Sequence, residues 1–359
     1  MIDEFFKREK EKIDEELTEY FDNVVSEADD ELYSDFLQQF KNFVLPNNKK
    51  AKRLHPILTI AAFSGIINPL YLDEELPKVR KVAIALELLH SGHLIYDDLI
   101  DDDTIRRGKP TFHVQLTKDI RSVYKTMEIP NKKELEILFG RDLSILGGSH
   151  GYLLGLDIIK KSKFPDNLKL LAINEYSEAL QYLMKGQIIE EYMNYHRITM
   201  SLEQYLNIAE MQRARLFEKS AKIGGILAKG NIHYQIKPLS EAMLRIGQAY
   251  AIRDDILDLR EDILGKKKKF IYILAVQNTD EEQSRILNEI YSKPKVTKED
   301  VKKVEQIFAD TNAIIIAEQF SKNLVEQARN YLKDIYPDLN REQKEFFNEF
   351  ADFIYMRDF

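Results

Sequence analysis

Apolar residues recur at helical spacing along most of the chain, and nowhere do they alternate with polar ones for long enough to suggest a sheet. Residues 2–25 and 29–44 read as amphipathic helices, with Phe5, Phe6, Ile13 and Leu17 at helical spacing and charges between them. Pro46-Asn47-Asn48 breaks the pattern and leads into the basic stretch Lys49-Lys50-Ala51-Lys52-Arg53. A helix is expected from about Pro56 to Gly65. After a turn at Asn68-Pro69, a long one is expected from Lys78 to about Asp103. The middle of that helix, ALELLHSGHLIY, is apolar on nearly every face, which is the pattern of a core helix.

Gly108-Lys109-Pro110 marks a turn. Another helix is expected over 134–160, although Gly147-Gly148 and Gly151 weaken its pattern. More follow over 167–195, 201–229, 239–259, 281–292, 298–333 and 340–356. No repeat of fixed period and no low-complexity linker is visible. The expected fold is therefore all-α, a single domain over 1–359, with roughly 70% helix against a base rate of about a third.

Composition supports that reading and excludes several functions. Gly (14) and Pro (10) are scarce for 359 residues, as long helices require. Cysteine is absent, so a disulfide framework, a thiolate zinc site and a Cys nucleophile are excluded. The net charge of −8 argues against a general nucleic-acid binder. No apolar leader and no stretch long enough to span a membrane is seen. A cytoplasmic protein with no membrane span and no nucleic-acid partner is expected.

The chemistry sits at the ends of two apolar helices. Tyr96-Asp97-Asp98-Leu99-Ile100-Asp101-Asp102-Asp103 places five carboxylates at a helix C-terminus, where the macrodipole disfavours them. Asp97 and Asp101 are i and i+4 and share a face, with Asp98 beside them. Arg253-Asp254-Asp255-Ile256-Leu257-Asp258 repeats the pattern, with Asp254 and Asp258 again one turn apart. One such run could be a solvated charge cluster. Two copies, each abutting a helix too apolar for the surface, point to carboxylate plates holding Mg²⁺, which takes a few carboxylates plus substrate phosphates. No Glu-x-x-His pair accompanies them, which counts against a di-iron site. Lys52-Arg53-Leu54-His55-Pro56 precedes the first cluster and Arg106-Arg107-Gly108-Lys109-Pro110 follows it. Arginines suit bidentate phosphate contacts, so a Mg²⁺–diphosphate site fits the set best.

With LLHSGHLIYDDLIDDDTIRRGKPT and RDDILDL, the chain resembles the trans-isoprenyl diphosphate synthases, or polyprenyl synthetases, most clearly over residues 50–280. The resemblance implies a bundle of long antiparallel helices around a deep apolar cavity, usually homodimeric. It implies 1′-4 elongation, in which isopentenyl diphosphate attacks an allylic cation whose leaving diphosphate is held by Mg²⁺, three ions in all. On that basis Asp97, Asp98, Asp101, Asp254, Asp255 and Asp258 serve the metals, and Arg106 holds the allylic diphosphate. Lys52, Arg53, His55, His90 and Arg107 fall to isopentenyl diphosphate, and Gln187 lies beside the reacting chain. Gly92 and His93 set product length. Gly92 leaves room, so a C20 product is expected, with C15 possible.

Several positions depart from the family pattern. His55 stands where the family has arginine, which weakens a diphosphate contact at neutral pH. Gln212-Arg213 replaces a Lys-Thr pair, and Tyr250-Ala251 a Phe-Gln. The segment after the second Asp cluster is shortened, leaving Gly265 and four lysines, of which Lys266 or a neighbour is expected to reach the diphosphate. Arg213 is expected to stand in for the missing lysine. About a dozen extra residues lie between Pro110 and Gly140. These departures keep two alternatives in view: a non-catalytic or regulatory subunit of a heteromeric synthase, and a class I terpene cyclase.

Overall fold

The computed structural model describes residues 2–46 and 50–356. Helix accounts for about 81% of it, and the few extended residues form one two-stranded hairpin. The helices are α1 (Ile2–Ser26), α2 (Glu31–Val44), α3 (Leu54–Ile66), α4 (Leu72–Ile100), α5 (Phe112–Tyr124), α6 (Lys132–Lys161), α7 (Asp166–Tyr195) and α8 (Leu202–Ala209). They continue as α9 (Arg215–Leu227), α10 (Lys237–Leu257), α11 (Leu259–Leu264), α12 (Phe270–Val276), α13 (Glu281–Ser292), α14 (Lys298–Asp310), α15 (Ala313–Lys333) and α16 (Arg341–Met356). Asn47, Asn48 and Lys49 of the expected break lie outside the described residues. No described helix is long and apolar enough to cross a membrane.

The chain forms two compact units, one of residues 3–176 and 223–229, the other of residues 177–222 and 230–359. The first is built on α4, which packs against α3 and, along most of its length, against α6. The expected weakness of α6 is corrected. Its glycines do not interrupt the helix but let neighbouring rings and backbone approach. A Cβ on Gly148 would meet the Tyr96 ring at 2.5 Å, and one on Gly151 would lie 3.1 Å from Leu88 O. Phe36, Phe40 and Phe112 close this unit with edge-on ring contacts between α2 and α5. Helix α5 was not expected from the sequence; it occupies part of the extra residues between Pro110 and Gly140.

The second unit is built on α10, buried along most of its length and packed against α15, α16 and the segment Glu210–Ala214. That segment is a π-turn, so the helix expected over 201–229 changes pitch there. π-turns are often found at functional positions. Capping boxes start α8 (Ser201 with Gln204) and α14 (Thr297 with Asp300), each contributing on the order of 1 kcal/mol. The single helix expected over 298–333 is two. Thr311 ends α14, and Asn312 takes a left-handed conformation (φ 56°), which asparagine tolerates better than most residues.

Candidate active site

In the first unit, the apolar run of α4 carries its carboxylates to the helix end. Asp97 is half-buried, Asp101 exposed and Asp98 fully buried. Helix geometry puts His90, His93, Asp97 and Asp101 on one face, spaced by three or four residues. Gly92 lies about 140° away from Asp97 around the axis.

Residues Ile105–Arg106 and Lys109–Pro110 form the hairpin that follows, with Arg106 opposite Lys109. Its two turn residues, Arg107 (φ 54°) and Gly108 (φ 74°), both have positive φ, as a two-residue type I′ turn requires. Arg107 is an unusual residue for that conformation, and such strain persists where the surroundings hold it. The hairpin returns Arg106 to the carboxylates. Arg106 donates through Nε to Asp98 and through Nη2 to Asp97 Oδ2 at 3.0 Å. Burial pushes the Asp98 carboxyl up to about 7, against the pull of Arg106. Its Oδ2 has no hydrogen-bond partner among the described residues.

Behind this face lies a buried ionic group. Arg53, itself left-handed at φ 56°, donates to Glu87, to Asp14 Oδ1 (2.8 Å) and to Val44 O (2.8 Å). Burial pulls the Arg53 guanidinium down, but Glu87 and Asp14 outweigh it and the net direction is up. Burial raises the Glu87 carboxyl, and Arg53 with Arg107 brings it below the ordinary carboxylate value. Three of Arg53's donor directions are thus committed to protein, whereas Lys52 is exposed. His55 stacks edge-on to His90 with ring centroids 5.0 Å apart. Burial holds His55 down at about 4. Burial, then the His55 and Arg107 charges, hold His90 well below its ordinary value. Both rings are neutral at neutral pH, so they can offer hydrogen bonds but no positive charge.

Gly92 needs a correction. It opens onto no free space, since a Cβ there would come 2.7 Å from Gly148 O and 3.1 Å from the Tyr152 ring. Its small size serves the crossing of α4 with α6. His93, buried on the Asp97 face, is the chain-length candidate that remains.

In the second unit, α10 ends in Asp254, half-buried, Asp255, 2% exposed, and Asp258, exposed. Burial and the neighbouring Asp254 push the Asp258 carboxyl up. Asp255 Oδ2 accepts from the Tyr205 hydroxyl and from Phe270 N–H (3.2 Å). Its Oδ1 lies 3.7 Å from both Arg213 Nη1 and Lys269 Nζ. Arg213 is therefore drawn to the second Asp cluster. Gln212, in the place of the missing lysine, donates instead to Glu190 Oε2 (2.7 Å) and Gln187 Oε1 (3.3 Å). Arg215 is committed to Glu210 and Glu218 and lies over the Tyr182 ring. Of the lysine run, Lys266 donates to Lys293 O (2.8 Å), and Lys269 reaches Asp255 and Asp262.

Sequence reasoning missed Glu87, Glu190, Tyr205 and Asp262, and within the lysine run it singled out Lys266 rather than Lys269. Glu87 carried a signal: it is the only acid within ALELLHSGHLIY, and a charge in a helix apolar all round needs a buried partner. Lys269 carried none, because four adjacent lysines look alike until the loop is folded.

Both Asp clusters are all-oxygen donor sets suited to a hard cation. Among the described residues no three carboxylates or histidines converge closely enough to hold a metal by themselves. The all-oxygen donor sets fit Mg²⁺, which keeps waters and binds through one or two carboxylates with substrate phosphates.

A model of the polyprenyl synthetase family matches residues 38–309. This chain belongs to the polyprenyl synthetase family. It is a trans-prenyltransferase of the isoprenyl diphosphate synthase type. It is 30% identical to the short chain isoprenyl diphosphate synthase of Methanocaldococcus jannaschii, over 98% of this chain and 96% of that one. It is 25% identical to the geranylgeranyl diphosphate synthase of Saccharolobus solfataricus, over 88% and 92%. Its fold matches a geranylgeranyl pyrophosphate synthase from Corynebacterium glutamicum, complexed with isoprenyl diphosphate and magnesium, with a TM-score of 0.86 at 23% identity and 98% and 99% coverage. The prenyl synthase's fold is thus the all-α one expected from the sequence.

Proposed function

We propose that this synthase condenses isopentenyl diphosphate with an allylic diphosphate to give an all-trans C20 diphosphate. The observation that carries the reading is the double Asp-Asp-x-x-Asp set, each copy with its first and last carboxylates accessible and its middle one buried. When bound, Mg²⁺ would neutralise the leaving diphosphate and promote allylic ionisation. Asp97, Asp101, Asp254 and Asp258 are the residues to hold it. Arg106, fixed by Asp98, would present its remaining donors to the allylic diphosphate. Lys52 and Arg107 supply positive charge for isopentenyl diphosphate. Neutral His55 and His90 add hydrogen bonds there without charge. Gln187, ordered by Gln212, belongs beside the reacting chain.

Relatives named for geranylgeranyl and for geranylfarnesyl products put C20 and C25 forward. His93, one turn before Asp97 on the same face, supports the shorter of the two. Product sizing after incubation with Mg²⁺, isopentenyl diphosphate and allylic primers of increasing length tests activity and length together. We expect C20 as the main product, and His93→Ala should move it toward C25. Absence of any elongated product would overturn the reading.

A homodimer belongs to the same reading. Leu146, Leu153 and Leu170 are each 61% exposed on α6 and α7 of the first unit, apolar side chains that a second copy would cover in a closed two-fold dimer. Light scattering should give twice the monomer mass of 42.1 kDa; a monomer across the concentration range would refute it.

A further inference from the structure

We propose that a cavity of the first unit, on the far side of α4 from the aspartates, binds a long-chain alcohol at a site separate from that of prenyl transfer. The cavity lies between α1, the early turns of α4 and the last turns of α6. It measures about 520 Å³, within the roughly 300–1,000 Å³ of ordinary small-molecule sites.

Each of the three helices gives the cavity one stripe. Tyr20 and Val24 share a face of α1, Lys81 and Ile84 a face of α4, and Leu154 and Ile158 a face of α6. Lys81 and Ile84 precede Asp97 by sixteen and thirteen residues. Helix geometry therefore sets them about 20–24 Å from it along the axis and about 140–160° round it. Other contacts hold the walls in place. A Cβ on Gly155 would lie 2.8 Å from Ala85 O, so α6 already meets the backbone of α4 beside Ile84. On the other side, Arg80 of α4 donates through Nε and Nη2 to the buried Glu9 of α1, at 2.8 and 2.9 Å. A cavity between elements fixed in this way is preformed, and a ligand entering it has little ordering to do.

The lining selects the ligand. Val24, Ile84, Leu154 and Ile158 supply apolar surface for a chain. The remaining lining carries four lysines against four acids. Lys78 reaches Glu75 at 2.6 Å, Lys161 reaches Asp157 at 2.6 Å, and Lys81 lies 3.7 Å from Glu19. A diphosphate would bring several negative charges to this balanced set, so a neutral head suits it better. Three polar groups are there to meet such a head. Ser162 Oγ, at the end of α6, is buried and has no hydrogen-bond partner among the described residues. Burial, and then the Asp157 charge, push the Tyr20 hydroxyl above its ordinary value, so it remains a neutral donor. Burial raises the Glu16 carboxyl against the pull of Lys81, and its oxygens accept. An alcohol both donates and accepts, so it can pair with groups of either kind, Ser162 included. A plain hydrocarbon would leave the Ser162 hydroxyl unanswered.

The test titrates farnesol into the full-length protein by calorimetry, with farnesyl diphosphate and Mg²⁺ at saturation to fill the active site. Farnesol should still bind. Ile158→Trp fills the cavity and should abolish that binding. Ser162→Ala removes one hydrogen bond and should weaken it about fivefold. Both variants should elongate prenyl primers at the parent's rate, since neither residue belongs to the site of prenyl transfer.

Loss of farnesol binding once farnesyl diphosphate is saturating would place the alcohol in the active site and overturn the proposal. So would parent-like binding by both variants. Farnesol binding that falls away as light scattering reports the dimer would give the cavity to the second copy, with the same consequence. Should Ile158→Trp fail to fold, Ser162→Ala and the competition with farnesyl diphosphate still decide the matter. A protein that binds farnesol in the cavity but elongates no prenyl primer would sink the functional reading and leave this site standing.

Discussion

Asp97→Ala and Asp254→Ala should each lower turnover by about 10³-fold or more, because each removes a charge that stabilises the departing diphosphate through its metal. The two sites are expected to behave alike although they belong to separate units. Each lies at the end of a buried apolar helix with its first carboxylate accessible. Steady-state assays at saturating Mg²⁺, with circular dichroism to confirm folding, check the result. Rates near the parent's in either variant would remove that cluster from the metal chemistry. Asp98→Asn should act differently. Asp98 is buried against Arg106, so its loss should appear mainly in allylic-substrate affinity.

Glu87→Ala should destabilise the protein by about 3–5 kcal/mol, the range for removing one partner of a buried ion pair. Glu87 is 1% exposed and Arg53 is 3% exposed. Without Glu87, the guanidinium would stay buried with only Asp14 to balance it. Urea unfolding followed by circular dichroism measures the loss, and an unchanged midpoint would show that the pair adds nothing. Replacing both partners by apolar residues of similar size, Arg53→Met with Glu87→Leu, should recover part of the stability.

These residues show where sequence was sufficient and where it was not. The Asp clusters could be read because they interrupt apolar helices, and that contrast survives folding unchanged. Helical periodicity likewise located α4, α6 and α10. It failed at Asn312, where one residue in a left-handed conformation ends a run whose amphipathic pattern continues on both sides. At α6 it placed the helix but not the use of the glycines, whose value lies in what packs against them. Arg53 was read by residue type as a phosphate ligand. Only the fold shows that its donors meet Glu87, Asp14 and Val44 first. Lys266 and Lys269 could not be told apart, since a backbone carbonyl captures one and two carboxylates the other.

The glycine groove of α6 has a further bearing on how this enzyme can diversify. Leu88, Gly92 and Tyr96 of α4 are keyed into Gly148, Gly151 and Tyr152 over successive turns, through backbone at Leu88, Gly92 and Gly148 and through the rings of Tyr96 and Tyr152. A substitution that thickens either partner must part the helices, and with them the platform that carries Asp97. Lineages selecting for a shorter or longer product are therefore channelled away from Gly92. On the role proposed for His93, the evolutionary route runs through that neighbouring position instead, about 100° further round the helix.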